Sequence, residues 1–333
     1  MKIGIIGATG MLGYHSAKAV IAAGHDLVVI HRQGSNVKRL NDLRFKSRIG
    51  DLDDKNALLE SMHDLDAVMN CGAYYPTVPL ALKKEMDKAK AQMDNFIEAG
   101  ERNKVQKMLY LGGSIALPKS KNGIGTEDLV YTSAPDNKTP YVQVKWLMDK
   151  MAREAGLIVG IPSMTFGEFD WGPSTGTFVV RVASNAMPNY VEGNRNAIYA
   201  GDAGRGLVLA IEHGRKGERY LITGRNTSMT EILSIIDKTT SQTSPHKQIP
   251  LEMAKIVSKT QEAKYYLTGK LPEISATSIA IMGSGQHLDG TKAKQELGYE
   301  PQVSLEDAIQ RAYVWFKSVG YITEGGSAVK MKI

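Results

Sequence analysis

Tyr141 and Lys145 stand four residues apart, a spacing that in a helix projects both side chains from one face. An unperturbed phenol titrates near ~10, and an adjacent ammonium favours its phenolate, bringing proton exchange toward working pH. Such a tyrosine can pass a proton to or from an alcohol or carbonyl oxygen while a nicotinamide takes or gives hydride at the carbon. Ser114 could hydrogen-bond the same oxygen and hold it in line. The spacing alone is not selective, because Tyr14 with Lys18, Tyr266 with Lys270 and Tyr313 with Lys317 share it as plain helix-face neighbours. Context separates Tyr141, which follows a strand ending in a serine and lies a moderate distance downstream of Ser114.

A second constellation is Gly7, Gly10 and Gly13, spaced Gly-x-x-Gly-x-x-Gly around Ala8, Thr9, Met11 and Leu12. It follows the short apolar run Lys2 to Ile6 and opens an Ala-rich helical stretch, Met11 to Ala23, that Gly24 stops. Glycine allows a tight turn and a close backbone approach to a pyrophosphate, whose charge then sits on the free amides of the helix N-terminus. The next strand, Asp26 to Ile30, ends in His31 and Arg32, with Ser35, Lys38 and Arg39 beyond. An NAD site wants a carboxylate there for the ribose hydroxyls, whereas cations suit the extra phosphate of NADP. NADP is therefore the expected cofactor, with NAD as the alternative.

The elements that must position these groups alternate. Strands are expected at Arg48 to Gly50 before Asp51, at Asp66 to Asn70 before Cys71, Gly72, Ala73 and Tyr74, and at Lys107 to Leu111 before Gly112, Gly113 and Ser114. Helices are expected from Asp53, over Leu80 to Asn103, and over Pro140 to Ala155, with the strand Leu157 to Ile161 after the last. This alternation argues an α/β fold with a doubly wound parallel sheet, whose ligands collect at the carboxyl edge. Beyond Pro162 the pattern loosens. Phe166 to Thr177 reads as a loop, while Ala197 to Tyr199, a helix Ala203 to His213 and a strand Arg219 to Thr223 read as a return to the sheet. Further helices are expected over Met229 to Thr240, Leu251 to Thr268 and Ser304 to Val319, the last opened by Ser304 and Asp307 as a capping box.

Composition narrows the function. The 333 residues are 42% hydrophobic and 23% charged, which is the make-up of a soluble globular protein. No run is long and apolar enough to span a membrane, no leader precedes the first strand, and Cys71 is the single cysteine, so a cytoplasmic protein is expected. The net charge of +6 is not gathered into a basic cluster with interleaved aromatics, which argues against nucleic acid. The seven His show no metal-ligand spacing, and no metal is expected.

The glycine turn, Asp51, Ser114, the Tyr141 and Lys145 pair and the segment Pro162 to Gly167 (PSMTFG) together resemble the extended short-chain dehydrogenases/reductases. The likeness runs from residue 2 to about 321, through Gly217 to Gly224 (GERYLITG) and Glu296 to Pro301 (ELGYEP). It is nearest the branch of dihydroflavonol-reductase-like and nucleoside-diphosphate-sugar or hopanoid-associated epimerases. The resemblance implies a Rossmann domain over residues 1–165 and 196–224, a smaller mixed α/β substrate domain over 166–195 and 225–320, and a tail over 321–333. It implies that Gly7, Thr9, Gly10 and Met11 hold the pyrophosphate, Arg32 the 2′-phosphate, and Asp51 with Leu52 the adenine. By the same likeness Gly72 and Ala73 line the cleft, Lys145 bonds the nicotinamide ribose, Pro162 approaches the carboxamide, and Ser114 and Tyr141 carry catalysis. A homodimer paired through the helices at 80–103 and 140–155 is implied as well. One departure is Gly112 and Gly113, where family members often carry Ser or Thr.

Two substrate classes compete. For a reductase of carbonyl compounds stand the basic end of the second strand and the aromatics Phe166, Phe169 and Trp171, which could line an apolar pocket; Tyr74 is a further candidate substrate contact. For an epimerase of nucleotide sugars stands Arg195, seven residues before Asp202, similar to the arginine that grips the diphosphate in such enzymes. Against it, Pro162 and Ser163 stand where many of those enzymes carry a phosphate-binding Asn. A non-catalytic NADP-sensing regulator is the third reading, opposed by the presence of Tyr141 and Lys145.

Overall fold

The computed structural model describes residues 1–72, 74–76, 81–242, 246–272 and 274–323. Its first half runs β1 (Lys2–Ile6), α1 (Met11–Ala22), β2 (Asp26–His31), β3 (Lys46–Ile49), α2 (Lys55–Ser61), β4 (Ala67–Asn70), α3 (Leu82–Arg102) and β5 (Lys107–Leu111). There follow β6 (Ile124–Gly125), α4 (Pro140–Glu154), β7 (Ile158–Pro162), β8 (Met164–Phe166), α5 (Gly176–Ala183), β9 (Asn189–Tyr190), β10 (Asn194–Tyr199), α6 (Ala200–His213) and β11 (Arg219–Ile222). The remainder comprises β12 (Arg225–Ser228), α7 (Met229–Thr240), β13 (Lys247–Gln248), α8 (Leu251–Thr268), α9 (Ala276–Ser284), β14 (His287–Leu288), α10 (Thr291–Leu297) and α11 (Leu305–Ser318).

Seven parallel strands form the main sheet in the order β3-β2-β1-β4-β5-β7-β11. Helices cover both faces, so the inner strands read as continuous apolar runs rather than alternating ones. Ile3, Ile5, Val29 and Leu109 face α1 and α6, meeting Tyr14, Val20, Leu207 and Ile211. Val28, Ile30, Val68 and Tyr110 of the same strands face the other way, onto Met93 and Phe96 of α3 and Val144 and Met148 of α4. The order reverses between β1 and β4, and this switch point opens the crevice in which doubly wound sheets take ligands.

Beyond the sheet a second core gathers Phe166, Val179, Val180, Ile232, Ile236, Ile309 and Phe316 under α5, α7 and α11. Of the segments read as a return to the main sheet, β11 does lie beside β7. Ala197 to Tyr199 does not: it belongs to β10, which pairs with β8 and β12 in a separate three-stranded sheet. The stretch read as a loop from Phe166 to Thr177 ends in α5, whose first turn Asp170 holds through the Ser174 and Gly176 amides. A full capping box occurs at Ser228 and Glu231, while Ser304 caps α11 by accepting from the Asp307 amide at 3.0 Å. Within 225–320, Ala293, Leu297 and Tyr299 pack into the core between α1, α6 and the main sheet. No helix among the described residues is long and apolar enough to cross a membrane.

Candidate active site

Because the strands of the main sheet run one way, the segments leaving β1, β2, β4, β5 and β7 emerge on one edge. At the switch point Gly7 has φ +82°, and a Cβ there would lie 2.6 Å from the backbone of Gly72. A Cβ on Gly13 would lie 2.2 Å from the Gly7 carbonyl oxygen, so this glycine lets α1 close on the turn. Gly10 differs: its backbone is extended, and a Cβ would meet only the Gly7 oxygen at an ordinary 3.6 Å. The protein itself does not require glycine at 10, and its bare face suits a group approaching from outside. Next to it α1 starts with no side-chain cap and no acidic residue in its first turn, leaving amides and dipole for an anion. Gly7, Thr9, Gly10, Met11 and Gly13 thus fit a dinucleotide pyrophosphate.

At the end of β2, His31 is used within the fold, Nε2 lying 2.7 Å from Ser47 Oγ and Nδ1 3.0 Å from the Arg32 carbonyl oxygen. The Arg32 side chain is exposed and has no ion pair among the described residues. Asp51 accepts from the Asp53 amide at 3.0 Å, and Leu52 is buried with its carbonyl accepting from Asn95 at 2.8 Å. Gly72 donates its amide to Asn70. Ala73 lies outside the described residues.

β5 delivers Gly112, Gly113 and then Ser114, which starts a short 3-10 turn that packs on α4. A Cβ at Gly112 would come within 2.9 Å of Val159, whereas one at Gly113 would meet no atom within 4 Å. Packing therefore explains the first departure from the family pattern and leaves the second unexplained. α4 opens with Pro140 at its first position, where the missing N–H costs nothing. Tyr141 and Lys145 follow, and both are buried, at 7% and 6% exposed. The Lys145 Nζ sits 5.7 Å from the Tyr110 ring centroid and 5.8 Å from that of Tyr75, with no ion pair among the described residues. Burial lowers the Lys145 ammonium to about 8. The expected lowering of the Tyr141 phenol by its ammonium neighbour is not found. Burial instead pushes that phenol well above its ordinary value, and the nearby phenol of Tyr75 adds to the rise.

Several expected substrate contacts are redirected. Tyr74 turns toward α3, where its hydroxyl bonds Glu85 and Lys88 lies over its ring at 4.9 Å. Its neighbour Tyr75, which the motif reading passed over, lies against Tyr141 with ring centroids 4.5 Å apart and planes tilted by 59°. Successive side chains of an extended segment point to opposite sides, and no sequence signal says which of two tyrosines faces inward. Phe166 is fully buried in the second core. Phe169 stacks on Tyr14 of α1 at 3.5 Å, and Trp171 meets Trp315 and carries Arg39 over its ring at 4.6 Å. Phe169 and Trp171 join the loop to α1 and α11.

Arg195 lies on β10, half-buried, donating to the carbonyls of Asn194 at 2.7 Å and Met282 at 3.2 Å. No carboxylate pairs with it among the described residues. Pro162 ends β7 in pairing with Ile222, and Ser163 after it keeps a buried hydroxyl without a partner among the described residues. A cavity of about 550 Å³ adjoins the site, lined by Ile115, Val142, Leu251, Ile279 and Ala280 together with Lys119, Lys255 and Lys259. Ile115, Val142 and Ala280 also pack on Tyr141.

Known proteins share this fold. The structure superposes on a crystal structure of a nucleoside-diphosphate-sugar epimerase from Pseudomonas aeruginosa with a TM-score of 0.84, at 36% identity, covering 97% of this chain and 99% of the other. In sequence it is 23% identical over 328 residues to a Synechocystis sp. protein provisionally named dihydroflavonol 4-reductase, covering 96% of this chain and 95% of that one. It is also 23% identical over 359 residues to a UDP-glucose 4-epimerase of Lactobacillus helveticus, covering 96% and 98%. The profile of the NAD dependent epimerase/dehydratase family matches residues 3–223. The chain belongs to the NAD-dependent epimerase/dehydratase family, the extended branch of the short-chain dehydrogenases/reductases, and is an NAD(P)-dependent enzyme of that family.

Proposed function

We propose that this chain is an NADP-dependent oxidoreductase that moves hydride between the nicotinamide and a carbonyl or alcohol carbon of a small organic substrate. The observation that carries this reading is the buried Tyr141 and Lys145 pair on α4, beside the turn that holds Ser114. In this reading Tyr141 gives its proton to the carbonyl oxygen during reduction, and Ser114 holds that oxygen in line. Burial keeps that phenol protonated, so a proton is there to give, and positive charge from Lys145 and the bound cofactor would have to strengthen it as an acid. Lys145 supplies positive charge next to the developing alkoxide and reaches toward the cofactor ribose. The bound cofactor supplies the hydride.

Arg32, exposed and without an acidic neighbour at the end of β2, supports the choice of NADP. The apolar part of the adjoining cavity's lining supports a carbonyl compound with an apolar body. The alternative, a nucleotide-sugar epimerase that retains its cofactor, draws on Arg195, whose guanidinium has no carboxylate partner among the described residues, and on the name of the Pseudomonas relative.

The deciding experiment follows NADPH and NADH oxidation by purified protein over a panel of carbonyl compounds, with nucleotide-sugar binding measured alongside. NADPH-dependent turnover of a carbonyl compound, lost by about 10²- to 10⁴-fold in Tyr141→Phe with cofactor binding retained, is expected. Tight binding of a nucleotide sugar with no carbonyl turnover would establish the epimerase instead.

A further inference from the structure

Helix α8 carries apolar residues on two opposite faces. On the inner one Ala254 and Ser258 are buried, and Ala254 packs in a small cluster with Val191 and with Ile279 of α9. Leu251, Ser258 and Glu262 on that side line the cavity of about 550 Å³. The outer face is the unusual one. Met253, Ile256, Thr260, Ala263 and Leu267 follow one another at alternating steps of three and four residues, which places them in one stripe along the helix. All five are exposed, Ile256 at 65% and Leu267 at 86%, and the stripe holds no charge. A helix on a globular surface turns its polar side to water, and this one does the reverse. Tyr266 and Leu271 extend the surface at the same end, so five of the twelve exposed large apolar side chains among the described residues lie between 253 and 271. A concentration of that kind marks a contact surface rather than scattered exposure.

Charge decides what covers it. Lys259 flanks the stripe on one side and Lys264 on the other, Lys270 follows the end of the helix, and none of the three has an ion pair among the described residues. The acids are engaged elsewhere: Glu252 pairs with Lys255 at 2.6 Å, and Glu262 accepts from the Ala276 amide at 2.7 Å. A second copy of the helix would bring cation against cation. Paired in parallel along the stripe, Lys259 falls beside Lys264, and paired antiparallel about Thr260 it falls beside its own counterpart. An anionic lipid surface meets both features at once, since the stripe enters the acyl boundary while the flanking lysines reach headgroup phosphates and Tyr266 sits at the interface. We propose that α8 is a reversible docking helix for anionic membrane surfaces. A helix that lies on a bilayer needs no spanning length, so the absence of such a length among the described residues is no obstacle. Docking sets the helix that walls the cavity against lipid, which offers the site an apolar substrate dissolved there. That last consequence rests on the proposed function, whereas the docking does not.

The test is cosedimentation of the full chain with vesicles of phosphatidylcholine alone and of phosphatidylcholine with about one third phosphatidylglycerol. The wild type is expected to bind the anionic vesicles at least about tenfold more tightly than the neutral ones, and to come off as salt is raised. Ile256→Glu with Leu267→Glu changes two exposed positions, so its melt should match the wild type while vesicle binding falls by about tenfold or more. Lys259→Gln with Lys264→Gln should weaken binding to anionic vesicles by about fivefold for each lysine removed and leave the neutral ones unaffected. A wild type that stays in the supernatant with anionic vesicles would overturn the proposal, as would unchanged binding in the Ile256→Glu and Leu267→Glu variant. Equal binding to both vesicle types would overturn the choice of an anionic surface. Sedimentation velocity in which that same variant turned a dimer into a monomer would give the face to a second copy instead. The readout is binding alone, so a failure of carbonyl turnover would strike the proposed function and leave the docking result standing.

Discussion

Lys145, in its proposed site role, shows what a buried functional group does to the protein that carries it. Its ammonium is taken out of water without a carboxylate to meet it, and burial lowers it from 10.5 to about 8. Below pH 8 the lysine is charged in the folded and unfolded chain alike, so the burial penalty is present in full, of order 3 kcal/mol. Between pH 8 and 10.5 the unfolded chain holds a proton that the folded chain has released, and stability rises with pH. Lys145→Met should therefore melt higher than the wild type at pH 7, with the gap closing as pH rises from 8 to 10.5, while turnover is lost. Urea melts across that range check it. A gap that stays constant with pH would mean that packing, not charge, sets the difference. The same burial acts on Tyr141 in the other direction, since its charged form is the anion.

At the scale of the element, the β1-turn-α1 unit separates two uses of glycine. Gly13 is needed by the fold, because a Cβ would enter the Gly7 carbonyl at 2.2 Å. Gly10 is not, since a Cβ would find ordinary contact at 3.6 Å. Gly10→Ala is expected to melt within a degree or two of the wild type and yet bind NADPH at least about tenfold more weakly, because the methyl enters the approach to the pyrophosphate. Gly13→Ala should lose stability and cofactor binding together. Melting curves and NADPH fluorescence titrations on the two variants check it. Equal cofactor affinity in Gly10→Ala and the wild type would remove the pyrophosphate from this turn.

At the scale of the whole molecule, the end of β2, proposed to hold the cofactor's adenosine, meets the second core. Arg39 leaves the basic run after β2 to lie over Trp171, and Trp171 in turn packs on Trp315 of α11. Arg32 and Lys38 are left exposed beyond that strand end, with Arg32 the nearer to it. Arg32→Glu should shift the preference between cofactors, weakening NADPH by ten- to a hundredfold, about 1.4 to 3 kcal/mol, and leaving NADH within a few-fold. Thermal shifts with each cofactor measure it. An unchanged ratio of the two affinities would sink the choice of NADP.

The sequence alone carried the features set by near neighbours in the chain. The apolar run, three glycines and Ala-rich helix of β1 and α1 are such features, as are the parallel order implied by alternating strands and helices, and the shared face of Tyr141 and Lys145. Each depends on helix or strand periodicity and on backbone sterics, which act over a few residues. Features that depend on distant segments needed the folded chain. Tyr75 rather than Tyr74 meets Tyr141 because Glu85 and Lys88 of α3 hold Tyr74. Phe169 and Trp171 join the loop to α1 and α11 because Tyr14, Arg39 and Trp315 offer them partners. The short strands β8, β10 and β12 have no clear pattern, since each is stabilised by partners from elsewhere in the chain. Likewise the rise of the Tyr141 phenol reverses what its i, i+4 neighbour implied. A local pair fixes the sign of one interaction, whereas desolvation sums over every atom the tertiary fold brings around the group.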